Sequence, residues 1–228
     1  MKEKKNYTRK ISSFNSIKKY DDLFTNSDIR DLVDDYFTNT VLPKIEKMER
    51  PLKEKYGDLI ERNKGRFEIT PPKTLETKIK SLLMKNKKFI EINNLLKNII
   101  KNNYGDVIEE FCILPLEGNT GLGKWHRDIF VKSKNDFSQK VFYITQIIYL
   151  DNLSNTEFCL NSNYNNDNNK SSYNKKIIKS TKGSSVVFDG RTLHRGLEND
   201  SNNTRYALYI SYYKPSYVDK EGKLKKFL

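Results

Sequence analysis

Residues 182–213 read KGSSVVFDGRTLHRGLENDSNNTRYALYISYY, and this stretch decides the fold. Ser184 to Phe188 is a short run rich in valine, closed by the turn pair Asp189-Gly190. Tyr206 to Tyr213 is a second run of aromatic and β-branched residues. Both are short enough for strands and too short for a buried helix. Between them lies His194, one of only two histidines in the 228-residue chain.

Working outward, the same texture recurs. Val107 to Leu114, Val141 to Leu150 and Lys175 to Ser180 read as strands, and the Asn/Ser-rich segment from Asn161 to Asn174 reads as an exposed loop. Upstream of residue 105 the pattern turns helical. Ser27 is the expected N-cap of a helix through Ile29, Leu32, Val33 and Tyr36. Pro43 should interrupt it, with helical spacing resuming from Ile45 to Ile60, and Pro71-Pro72 is a second break. Thr74 to Ile100 predicts one long amphipathic helix. Helices followed by several short strands predict a mostly β fold with N-terminal helices, a jelly-roll barrel braced by α-helices. The expected organisation is a basic flexible arm over 1–20 and one domain over 21–228, helical over 26–104 and jelly-roll over 105–217.

The net charge is +13. The excess is mostly lysine, mixed with acids along the chain, and makes no basic-aromatic stripe of the kind that tracks single-stranded nucleic acid. Cys112 and Cys159 lack metal-site spacing and are too few for a disulfide scaffold, so both are expected as thiols. No apolar run reaches membrane-spanning length, and a cytoplasmic protein is expected.

The chemistry is carried by both histidines. Trp125-His126-Arg127-Asp128 places His126 and Asp128 two residues apart, on one face of an extended chain. With His194, 68 positions on, they make two imidazoles and a carboxylate, the facial triad of non-haem Fe(II) sites, which leaves coordination positions open. A structural zinc site would want a fourth protein ligand. Arg205, eleven residues after His194, opens a strand and carries a planar fork suited to a carboxylate.

The stretch Lys182 to His194, followed by Asn199, Ser201 and Arg205, resembles the phytanoyl-CoA dioxygenase family, a branch of the Fe(II)/2-oxoglutarate-dependent oxygenases. The resemblance spans roughly residues 105–217 and is most specific in its last 40 residues. It implies a double-stranded β-helix, Fe(II) held by His126, Asp128 and His194, 2-oxoglutarate and O₂ as cosubstrates with Arg205 on the far carboxylate, and hydroxylation of an unactivated carbon with release of succinate and CO₂. Retention of Asp128 argues against halogenation. Two departures stand out. The family's segment between the metal motifs is replaced here by Asn155-Thr156-Glu157-Phe158 and the Asn-rich loop, and the small hydroxyl residue usual two positions after the distal histidine is Gly196.

Lys124, Arg127, Arg191 and Arg195 flank the two histidines, and with Trp125 they are the candidate substrate contacts, a rim suited to a small anionic substrate. Arg66 is a further candidate to reach the site from the N-terminal half. Two rival readings remain on the sequence: the same chemistry on a nucleobase or a protein side chain, and a non-catalytic cupin-like binding domain.

Overall fold

The computed structural model describes residues 17–24, 27–50, 52, 57–129, 139–164 and 169–217. Among the described residues ten strands form two antiparallel sheets. In chain order they are β1 (Lys18–Tyr20), β2 (Leu59–Asn63), β3 (Arg66–Ile69), β4 (Ile108–Leu116), β5 (Tyr143–Tyr149), β6 (Thr156–Cys159), β7 (Lys175–Ile178), β8 (Ser185–Asp189), β9 (His194–Gly196) and β10 (Arg205–Tyr213). The large sheet has the order β1-β8-β5-β10-β4-β3-β2 and the small sheet β7-β6-β9. The result is a mostly antiparallel, jelly-roll-like arrangement with a few helices.

Strand β10 shows how sequence alternation builds the layers. Successive side chains of a strand point to opposite faces. Tyr206, Leu208, Ile210 and Tyr212 join the large core shared with the helices. Ala207 and Tyr209 belong instead to a second cluster with Tyr149, Phe158, Ile178, Val186 and Phe188, which fills the space between the sheets. Helices α1 (Asp28–Tyr36), α2 (Leu42–Ile45), α3 (Lys73–Leu83) and α4 (Lys87–Tyr104) cover the outer face of the large sheet. In α4 the buried set Phe89, Ile92, Leu96, Ile99 and Ile100 repeats at three- and four-residue spacing, as a one-sided helix requires.

Several expectations need correcting. Ser27 sits at the N-cap of α1, but its side chain makes no capping hydrogen bond. Pro43 does not end the helical run: the wider π-turn Phe37–Val41 precedes it and carries the chain into α2, relieving the clash of a proline ring with the preceding turn. The helix expected over residues 45–60 stops at Ile45, and β2 and β3 form a hairpin inside the supposedly helical half. The long helix from residue 74 is two helices, because Asn86 caps a new start by accepting from the Phe89 N–H at 3.0 Å. Of the basic arm, Lys18–Tyr20 is a strand paired with β8, and residues 1–16 lie outside the described residues. The Asn-rich segment is not wholly exposed: Ser162 and Asn163 are buried. Both cysteines are buried and outside any disulfide. No helix among the described residues is long and apolar enough to cross a membrane.

Candidate metal centre

His126, Asp128 and His194 converge. One ligand atom from each lies within 4.8 Å of the others. His194 opens β9. His126 belongs to no regular strand, yet its N–H donates to the His194 carbonyl at 2.9 Å and its carbonyl accepts from the His194 N–H at 2.9 Å. That single antiparallel bridge sets the two rings side by side, with centroids 4.4 Å apart. The Asp128 N–H donates to the Gly190 carbonyl at 3.0 Å, which hangs the carboxylate from the turn after β8.

The ring nitrogens are sorted for metal binding. Nδ1 of His126 lies 2.9 Å from the Lys124 carbonyl, and Nδ1 of His194 lies 3.0 Å from the Thr192 carbonyl. A carbonyl can only accept, so each Nδ1 carries the proton and each Nε2 keeps its lone pair. The two Nε2 atoms stand 3.7 and 3.4 Å from Asp128 Oδ1. The other carboxylate oxygen, Oδ2, accepts a short hydrogen bond from the Thr145 hydroxyl on β5. Burial pushes the His194 pKa down to about 4, against which the nearby Asp128 carboxylate acts more weakly. The ring is therefore neutral at neutral pH, the form a metal needs. Phe158 and Phe188 hold it by stacking and edge contact at 5.6 and 4.6 Å. His126 faces outward, with a side chain 53% exposed.

Sequence reasoning missed the polar wall on the large sheet. Tyr143, Thr145, Tyr209 and Ser211 all face the small sheet, by the same two-residue alternation that sends their neighbours to the helix side. The Tyr143 and Tyr209 hydroxyls lie 2.9 Å apart. Burial raises both phenols well above their ordinary pKa, and the Asp128 carboxylate adds to this, so both remain protonated donors. The period-two spacing of polar residues inside β5 and β10 was the available signal.

The four flanking cations do not form the expected ring. Arg191 is buried at 2% exposure and bound to Asp189, with Nη2–Oδ2 at 2.5 Å. Its own N–H also donates to Asp189 Oδ1 at 2.9 Å, locking the turn that delivers His194. Arg127 donates to the Ser162 carbonyl at 2.7 Å and to the Arg191 carbonyl, tying the His126–Asp128 segment to that turn. Arg195 pairs with Glu157 at 2.8 Å and covers the Trp125 ring, 4.7 Å from its centroid. Lys124 is exposed. A desolvated pair serves the fold better than it serves a ligand, which is why local sequence crowding misled here.

Arg205 is the first residue of β10, in register with Leu116 of β4. Alternation puts it on the face of Ala207, Tyr209 and Ser211. Its Nη1 donates to the Leu153 carbonyl at 2.6 Å, and it also lines a surface groove with Arg30, Asp34, Asp151 and Tyr206. Asn199 and Ser201 are structural. Asn199 is fully buried and donates to the carbonyls of Leu116, Glu117 and Asn203, while the Ser201 hydroxyl donates to Asn199 Oδ1 at 2.7 Å. Together they knot the loop that leads into Arg205.

Comparison with solved structures gives the arrangement its context. The chain is similar to AviO1 from Streptomyces viridochromogenes Tue57, at 16% identity and a TM-score of 0.59, over 92% of this chain and 95% of that one. It is similar to the epimerase SnoN in complex with Fe3+, alpha ketoglutarate and nogalamycin RO, at 10% identity and a TM-score of 0.54, over 98% and 92%. EvdO2 from Micromonospora carbonacea var. aurantiaca, complexed with 2-oxoglutarate, matches at 14% identity and a TM-score of 0.55, over 90% and 89%. The chain shares the fold of these proteins. At such identities the likeness concerns fold alone. No protein-family model and no curated protein sequence matches the chain.

Proposed function

We propose that this protein is an Fe(II)- and 2-oxoglutarate-dependent oxygenase of the phytanoyl-CoA dioxygenase type, built on a double-stranded β-helix, that hydroxylates an unactivated carbon of a small molecule. One observation carries the reading: two imidazole Nε2 atoms and one carboxylate oxygen converge at a single point between two jelly-roll sheets, with every other polar atom of the three side chains already engaged. That donor set fits a six-coordinate Fe(II) with open positions and lacks the fourth protein ligand of structural zinc. The order β4-β10-β5-β8 facing β9-β6-β7, with His126 paired onto β9, supports the double-stranded β-helix.

Bound Fe(II), with 2-oxoglutarate and O₂, supplies the oxidising chemistry and releases succinate and CO₂. The chain does the rest. His126 and His194 present Nε2 because their Nδ1 protons are held by carbonyls. Thr145 fixes the rotation of Asp128. Phe158 and Phe188 keep water from His194. Tyr143 and Tyr209 offer protonated hydroxyls beside the metal position, and Arg205 offers a guanidinium to the far carboxylate of the cosubstrate. The single oxygenase domain over 21–228 belongs to this reading. The nogalamycin RO held by SnoN supports a small-molecule substrate. With Arg191 buried, Lys124 and Trp125 are the remaining mouth residues for an anionic one.

The test is to incubate Fe(II)-loaded protein with 2-oxoglutarate, O₂ and fractionated metabolite extract, following succinate and searching for a species that gains one oxygen. Fe(II) binding and succinate release that depend on His126 and His194 support the reading. A protein that binds no Fe(II) and consumes no 2-oxoglutarate with any fraction is instead a cupin-like binding domain.

A further inference from the structure

Arg66 is the first residue of β3, a strand of the N-terminal hairpin that extends the large sheet beyond β4. The hairpin turn places it. Gly65 has φ +81, and a Cβ there would stand 2.3 Å from the Thr120 hydroxyl, so only glycine fits. The Gly65 N–H donates to Glu61 at 2.8 Å and its carbonyl accepts from Glu117 at 2.9 Å, fixing the base of Arg66 against the end of β4. Arg66 and Arg205 are both in register with Leu116, one on each side, so the two side chains share the face that looks toward the small sheet.

The guanidinium runs to the metal-bearing strands. Nη2 donates to the carbonyls of Gly121 and Leu197, both at 2.6 Å. Nη1 lies over Gly196, where a Cβ would stand only 2.7 Å from it. Gly196 is two residues beyond His194 on β9, so the two share a face and sit roughly 6–7 Å apart. Arg66 thus occupies the space that a side chain at position 196 would fill. Its charge is poorly compensated. Among the described residues no carboxylate forms an ion pair with it, and its buried Nε has no partner. Burial lowers its pKa to about 10, and the more distant Glu198 opposes this only in part. A half-buried cation that meets only carbonyls and leaves its buried Nε unpartnered is suited to an anion.

We propose that Arg66 is a carboxylate-binding residue of the metal site, gripping the far carboxylate of 2-oxoglutarate from the β3 side while Arg205 approaches from β10. This rests on the oxygenase reading above. A 2-oxo acid chelated through its keto-acid end carries its far carboxylate two methylenes beyond the keto carbon, comparable to one i, i+2 step along β9 from His194 to Gly196. The absent hydroxyl at Gly196 and the arginine from another strand are then one exchange: a neutral donor is replaced by a charged one.

The experiment is anaerobic calorimetry of Fe(II)-loaded protein with 2-oxoglutarate and with 2-oxopentanoate, which lacks the far carboxylate. Wild type should bind 2-oxoglutarate more tightly. Arg66→Ala should raise its dissociation constant on the order of tenfold to a hundredfold, the range of a charge-assisted hydrogen bond, and leave 2-oxopentanoate unchanged. Gly196→Ala, which keeps the arginine but pushes on Nη1, should act in the same direction and covers the case in which Arg66→Ala misfolds. If wild type binds Fe(II) but neither oxo acid, the oxygenase reading fails. If it binds 2-oxoglutarate and both variants bind it equally well, or if they weaken both oxo acids alike, the role of Arg66 is overturned and the oxygenase reading stands.

Discussion

His126 and His194 are 68 residues apart in the chain and are each other's backbone partners, N–H to C=O in both directions at 2.9 Å. The metal centre is thus a piece of sheet before it is a set of ligands. Whatever holds the bridge holds the geometry of the two rings.

Loss of either ring should therefore remove the metal but not in the same way structurally. His126→Ala and His194→Ala should each abolish stoichiometric Fe(II) binding, measured by metal analysis after gel filtration. His126 is half exposed, so its alanine variant should melt close to the metal-free wild type. His194 is buried among Phe158 and Phe188, and its variant should lose on the order of 2 kcal/mol to the cavity left behind. Full Fe(II) occupancy in either variant would sink the triad.

Thr145 is placed to act on a bound metal through Asp128. Thr145→Val keeps the shape and removes the donor to Oδ2. Fe(II) affinity should fall about 10- to 100-fold, as for other groups that orient metal ligands, and Thr145→Ser should restore most of it. Equal affinity in the valine variant would show that the carboxylate is held by its backbone alone.

Arg191 belongs to the fold and not to the substrate. Arg191→Met leaves Asp189 buried without its cation, a change that costs about 3–5 kcal/mol in buried pairs. The melting temperature should drop by roughly 10 °C. A variant that melts normally and loses only substrate affinity would return Arg191 to the rim.

Arg205→Lys keeps the charge and loses the planar fork. The 2-oxoglutarate concentration needed for half-maximal turnover should rise by about tenfold or more, with Fe(II) affinity kept. An unchanged requirement would place the anchor on Arg66 alone.

The metal-free protein should weaken in mild acid. The folded pKa of His194, about 4, lies below its ordinary 6.5, so the unfolded chain takes up the proton first. Stability contributed by this ring is complete above pH 6.5 and is lost as pH falls toward 4. Melting of chelator-treated protein across this window should show the slope, and His194→Gln should flatten it. A parallel slope in the variant would assign the acid sensitivity to other groups.

Much of the barrel was legible because strands declare themselves through short-range pattern. The runs that became β4, β5, β7, β8 and β10 were each readable within a few residues at either end, since β-branched and aromatic residues bounded by turns have little alternative. The hairpin of β2 and β3 was not. Leu59 to Asn63 carries Glu61 in a buried position, and the ion pair with Arg50 at 2.6 Å, with the Leu52 and Gly65 N–H groups donating at 2.8 Å, makes that strand acceptable.

By itself the sequence singled out the candidate ligand set: a chain with two histidines, one of them two residues from an aspartate, offers few other metal sets. It also determined the helix-then-strand order, because apolar periodicity is written locally. Tertiary structure alone decided where the cations lie relative to the triad. Arg191 and Arg66 look equally available in the sequence, yet the first is sealed by a neighbour two residues away and the second is carried from a distant hairpin to Gly196. The reason is physical: an arginine's role depends on which carboxylate or carbonyl its long side chain meets, and that is set by strand pairing across more than a hundred residues, not by the residues beside it.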